Sequence, residues 1–300
     1  MTTLSSLEQC VEKGLLKPEE SLLVLEVNHK PLALVTVQLV YHHVAQGMMD
    51  GQPWLVSFCS ICNGGAVFSP QFNDTSLNFS ARGVYDAMIL LGDDETNSYW
   101  DHLSGLCVYG PSSGKQLKRL SNLLHSTAQR ALVSHPGIQV ALSVLSAEQQ
   151  TEALDDDAWR QEAQPEWSAR MLSTLAHDDH RLPRLDIGLG VWAGRTSRYY
   201  PISHLHGANN IIIDNLNGRN LLVYIDPVSI TPDAFYTNAT TAEFRRTLIV
   251  LDNGDIVRDG AVFTHDGVQK PVERPLQLFS RWYAFAVRFP GCEIYMPQFA

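Results

Sequence analysis

The sequence predicts an α+β protein, predominantly β, built as two tandem pseudo-repeats of short antiparallel strands with one or two helices each. Three observations predict it. Apolar runs are short and stop at turn residues, as Trp54–Phe58 does just before Asn63-Gly64-Gly65, which is the pattern of strands. Asp50-Gly51 and Asn217-Gly218 each lie between apolar runs, the signature of a hairpin tip. Finally, three patterns recur in one order: Val27–Leu34 with Val191–Pro201, Met49–Val56 with Leu216–Val223, and His135–Val140 with Phe289–Ile294.

Taken along the chain, residues 1–20 form an N-terminal segment and residues 21–146 the first repeat. Its expected strands begin with Leu22–Val27 and Ala33–Val37, two apolar runs around a polar turn. Trp54–Phe58 follows the Asp50-Gly51 tip, and Gly65–Phe68, Leu77–Ala81, Ala87–Leu91 and Leu106–Tyr109 are further short apolar runs. A helix over Leu120–Val133 precedes the final strand. Residues 147–185 read as an acidic connector, where Asp155-Asp156-Asp157 is a solvated run and Pro165–Ala176 a helix. Residues 186–300 form the second, degenerate repeat, with strands Leu221–Ile225 and Thr247–Leu251 and a helix near Leu278–Val287.

Composition narrows the function classes. Hydrophobic residues make up 45% and charged residues 18%, the balance of a globular chain. The formal charge of −10 lacks the basic footprint that nucleic acid requires. Apolar stretches such as Leu32–Val40 fall short of a membrane span, and no basic leader with an apolar core opens the chain. The expectation is a cytoplasmic protein with a small-molecule substrate, whose five cysteines are reduced. No nucleophile elbow, phosphate loop or dinucleotide fingerprint is present.

The chemistry concentrates in Phe58-Cys59-Ser60-Ile61-Cys62-Asn63-Gly64-Gly65. Two thiols at a strand end, followed by a glycine turn, form the local geometry of a metal knuckle. A thioredoxin-type pair normally opens a helix, and this turn prevents one. Soft thiolates suit copper or zinc, with iron also possible. Two cysteines need further ligands. His42 is the preferred third, and His43, His102 and Cys107 are weaker candidates. His102 follows Trp100-Asp101, and this Asp could orient an imidazole through its other ring nitrogen. His177-Asp178-Asp179-His180 reads as a solvated loop, and His204-Leu205-His206 would share a face only as a strand. With Asp50 aligned on Asn217, Cys59 falls opposite Asp226 and Cys62 opposite Ser229, so the second repeat has lost both thiols.

The order of these motifs resembles the family catalogued as domain of unknown function 3179. The residues that carry the likeness are His42, then Asp50-Gly51-Gln52-Pro53, then the strand ending in Cys59-x-x-Cys62. Asn78–Gly83, Asp94–Trp100 and Gly105 to Gly110-Pro111 follow. The likeness covers most of Leu22–Leu145, with a weaker echo over Asp186–Tyr295. It implies a repeated fold with His42, Cys59, Cys62 and the pocket residue Trp100 as matching positions. His43 stands where the family has Glu, and Gln46-Gly47 where it has Asn-Asp. The leading expectation is a metal-dependent enzyme doing redox or oxygen chemistry on a small molecule. A binding scaffold with a structural metal and a metal-free thiol-redox protein are the alternatives.

Overall fold

A computed structural model describes residues 3–72, 75–143 and 165–297. The Asp155–Asp157 run of the expected connector lies outside the described residues. Strands dominate, mostly antiparallel, with short helices between them.

One order of sheets occurs twice. In the first half, Gln139–Leu142, Lys30–Val35, Ser21–Val27 and Leu124–Thr127 lie side by side, with Thr3–Ser6 added at the edge. In the second half, Glu293–Ile294, Thr196–Pro201, Ile187–Ala193 and Leu276–Arg281 do the same. Each of these sheets closes on one parallel pairing, made by its last strand. A second sheet follows in each half: Val44–Met49, Gln52–Cys59 and Gly64–Phe68 correspond to Ile211–Leu216, Arg219–Ile225 and Pro232–Tyr236. A third sheet, Phe79–Tyr85, Met88–Asp93, Tyr99–Asp101 and Cys107–Tyr109, corresponds to Ala242–Arg245, Leu248–Leu251, Ile256–Arg258 and Ala261–Phe263.

The hairpin tips are those the turn chemistry requires. Asp50 and Gly51 have φ of 48° and 75°, and Asn217 and Gly218 have 53° and 79°. Two consecutive left-handed residues give a turn whose twist matches the flanking strands.

Two helices begin later than periodicity suggests. Over the expected helix Leu120–Val133, the chain first forms strands Arg119–Ser121 and Leu124–Thr127 and turns helical only at Ala128–Ser134. The reason is local: the Thr127 side chain accepts from the Arg130 amide at 3.3 Å and caps the helix. Likewise Leu276–Arg281 is strand, and the helix is Trp282–Arg288. The expected strand Ala33–Val37 ends at Val35, and Thr36–His42 is a helix despite its β-branched residues. Burial of Leu39 and Val40 outweighs that local preference. The helix expected at Pro165–Ala176 spans Pro165–Leu172.

The halves exchange their helices. Trp282–Arg288 lies over the Cys59–Gly64 loop, where the Arg281 amide donates to the Cys62 carbonyl at 2.8 Å. Ala128–Ser134 lies over the Asp226–Thr231 loop, and Arg130 Nη1 donates to Thr231 Oγ1 at 3.0 Å. One buried cluster therefore joins Cys59, Cys62 and Trp100 to Trp282, Tyr283 and Phe285. Among the described residues no helix is long and apolar enough to cross a membrane.

Candidate metal centre

The strand Gln52–Cys59 pairs with Gly64–Phe68, and Cys59 faces Gly64 across the ladder. The intervening loop needs one left-handed residue, and Asn63 supplies it at φ 55°. Gly65 could not be larger: a Cβ there would stand 2.6 Å from the Ser57 carbonyl oxygen and from Leu123 Cδ2. This loop turns both thiols inward, and neither has any exposed surface.

The third donor arrives from the next sheet. Tyr99–Asp101 ends in the tight turn Asp101–Gly105, so His102 projects from the strand end. Asp101 Oδ1 accepts from the Leu103 amide at 3.1 Å, the Ser104 amide at 2.7 Å and Ser104 Oγ at 2.8 Å. Ser57 Oγ, on the cysteine strand, donates to the His102 carbonyl at 2.9 Å and ties the two sheets together. Asp101 holds the turn and pairs with Arg288; it does not orient the imidazole as the sequence suggested.

Cys59, Cys62 and His102 bring one ligand atom each to within 4.8 Å of one another, and all three are buried. Cys62 Sγ is 3.9 Å from His102 Nε2. Donors around a tetrahedral zinc stand about 3.6–3.8 Å apart, given metal–sulfur and metal–nitrogen bonds of about 2.3 and 2.0 Å. The group therefore has the composition and spacing to hold a metal ion. His102 Nδ1 is buried with no hydrogen-bond partner among the described residues.

The electrostatics suit a ligand set. Burial resists ionisation of Cys59. Hydrogen bonds from the Cys62 thiol and from the Cys62, Ile89 and Ile61 amides outweigh it and bring the thiol down to about 7. Cys62 moves well above the ordinary range because of burial, its bond to Cys59 and the Cys59 charge. Burial, reinforced by His43 and Arg119, lowers His102 to about 3, so the imidazole is neutral at pH 7.

His42, the expected third ligand, is not one of the three. It is the last residue of the Thr36–His42 helix, and its Nε2 lies 3.1 Å from Ser143 Oγ. His43 caps that helix with φ 60° and is not one of the three either. Cys107 Sγ donates to the Tyr109 carbonyl at 3.4 Å and lies outside the trio. Trp100 is core: Nε1 donates to Asp93 Oδ2 at 2.7 Å, and Phe72 and Phe79 pack edge-on against its ring. Of the two other histidine patterns, Asp178 and Asp179 are held by Arg184 and Arg181. His204 and His206 sit on a helix, bonded to the Tyr295 carbonyl and to Asn210.

The second half shows what replaces the trio. Asp226 and Ser229 occupy the loop positions of Cys59 and Cys62, and Ile230 has the φ of 55° that Asn63 has. Asp259, first after strand Ile256–Arg258, stands where His102 stands. Into that site Arg130 extends from the third position of its helix, 3.6 Å from Asp226 and 2.8 Å from Asp233. The third position of the opposing helix is Ala284, buried in the cluster with the thiols.

No match was found among curated proteins or among solved structures. A family match does extend over residues 4–290, taking in both halves and every residue of the trio, and by it the chain belongs to the family described as Protein of unknown function (DUF3179).

Proposed function

We propose that the protein is a metal-dependent enzyme acting on a small molecule, with Cys59, Cys62 and His102 as its ligands. The observation that carries this reading is the convergence of three ligand-type side chains, buried, beside a cavity between the halves. Three protein donors leave a four-coordinate ion one position for water or substrate, which separates catalytic from structural zinc. Two thiolates and one imidazole suit copper and zinc and tolerate iron. Copper or iron would supply redox or oxygen chemistry, and zinc a Lewis acid.

Metal analysis of untagged protein purified without chelator tests this. About one ion per chain is expected in wild type, lost in Cys59→Ser/Cys62→Ser and in His102→Ala but kept in His42→Ala. Absence of metal from wild type after reconstitution would sink the proposal. The Cys59 thiol near 7 favours a second reading, thiol redox. In it Cys59 and Cys62 form a disulfide, releasing two electrons and two protons to an oxidant. Reversible loss of two titratable thiols in metal-free protein would support that reading.

A further inference from the structure

A cavity of about 210 Å³ opens where the two halves meet, lined by Leu103, Arg119, Trp192, Leu278, Arg288 and Phe289 among others. It adjoins the trio. A Cβ on Gly64 would stand 3.2 Å from Cys62 Sγ and 3.4 Å from both Leu103 Cδ2 and Leu278 Cδ1. Two walls of the cavity are thus one atomic layer from the sulfur.

The two arginines differ in what they have left to give. Arg288 pairs with Asp101, and with Asp86 at 3.7 Å, so its charge is met inside the protein. Arg119 donates one N–H to the Leu103 carbonyl and lies over the Phe68 and Trp192 rings, 5.1 and 5.7 Å from their centres. No carboxylate pairs with it among the described residues. Burial lowers Arg119 to about 10, which leaves it charged at neutral pH. A half-buried guanidinium with no carboxylate partner is costly and is relieved by an anion. Apart from Ser104 the remaining walls are apolar: Leu103, Leu278, and the Trp192 and Phe289 rings with centres 4.8 Å apart. The space equals roughly seven water volumes, enough for a small organic acid.

We infer that this cavity binds a small organic monocarboxylate, its carboxylate on Arg119 and its apolar body against Trp192, Phe289 and Leu278. As a statement about substrate it rests on the metal-enzyme reading above; as a binding site it stands alone. The test titrates benzoate and its neutral isostere benzamide into wild-type protein by calorimetry, with Trp192 fluorescence as a second readout. Benzoate should bind roughly 10- to 100-fold more tightly, the span of one charge-assisted contact, and Arg119→Gln should remove the difference. Leu278→Trp, which fills the cavity from another wall, should abolish binding of both. No saturable benzoate binding, equal affinity for the two, or undiminished binding in either variant overturns the inference. Metal content of the same samples separates the two readings. Benzoate bound by wild type that stays metal-free after reconstitution removes the metal reading and keeps this one, and metal without benzoate does the reverse.

Discussion

Replacing Arg130 with methionine should cost about 3 kcal/mol of unfolding free energy, at the lower end of the range for stripping one partner from a buried ion pair. Arg130 is 5% exposed and joins the halves through Asp233, Asp226 and Thr231 Oγ1, while also donating to the His125 carbonyl of its own half. The loss is not the full range because its partners keep other contacts. Asp233 retains Arg274 at 3.1 Å and Gln277 at 3.2 Å, and Asp226 still caps the Ser229 amide at 2.8 Å. A chain of this size shifts about 2 °C per kcal/mol, so the midpoint should fall by about 6 °C. Urea unfolding followed by circular dichroism reads the free energy directly. The sign of the pH dependence adds a second check. Burial raises the Asp233 pKa, but Arg274 and Arg130 more than offset it, so the folded value is depressed. That stability is present above the unfolded carboxylate value of about 3.9 and is lost as pH falls through the folded one. The gap between wild type and variant should therefore narrow below about pH 4. A cost under about 1 kcal/mol, the value of an exposed pair, would refute the view that this network is desolvated.

Three more outcomes are expected. In metal-free protein, thiolate absorbance at neutral pH should include about one Cys59-dependent proton released near 7, absent in Cys59→Ser, while Cys62 stays protonated; a first release no lower than the ordinary thiol range of about 8.5 would contradict it. Gly65→Ala should cost about 1–3 kcal/mol, because the Ser57 carbonyl 2.6 Å away is backbone and cannot give; unchanged urea stability would show that the loop tolerates it. Trp100→Phe should lose about 1–3 kcal/mol by leaving the buried Asp93 carboxylate short of its 2.7 Å donor, again read by urea unfolding.

The thiol pair was legible in the sequence because its geometry is local: an apolar strand, two cysteines and a glycine turn determine which way the sulfurs point. The duplication was legible for the same reason, since Asp50-Gly51 and Asn217-Gly218 encode one turn twice. The third donor was not, because His102 reaches Cys62 across 40 residues and a sheet boundary. Nothing in its neighbourhood distinguishes it from His42, which lies closer in sequence to the thiols. The available signal was the register between the halves, once strand ends are known: His102 and Asp259 occupy one position, as Cys59 and Asp226 do. The helix starts were missed because Leu276–Arg281, with apolar residues at alternate positions and a third beside them, fits either period, and Leu124–Thr127 has a single apolar residue and so carries too little pattern to separate strand from helix.

The divergence of the two loops supplies the physical argument for a cation at the thiols. Each half buries acidic or ionisable groups in a loop and covers it with the other half's helix. In the second half the chain supplies the positive charge itself. Arg130 enters at the helix's third position, and Gly260 makes room, since a Cβ there would be 2.5 Å from Arg130 Nε. In the first half the same helix position is Ala284, which brings no charge, and the nearby guanidinium of Arg288 is held by Asp101. Cys59 has no exposed surface, and what holds its thiol down to about 7 against burial is a set of hydrogen bonds from Cys62 and the Ile89 and Ile61 amides, with no positive charge among them. On the proposed reading, a fold that answers Asp226 with an arginine from its own chain, and Cys59 with an alanine and a neutral imidazole, would take the corresponding positive charge from a bound metal ion.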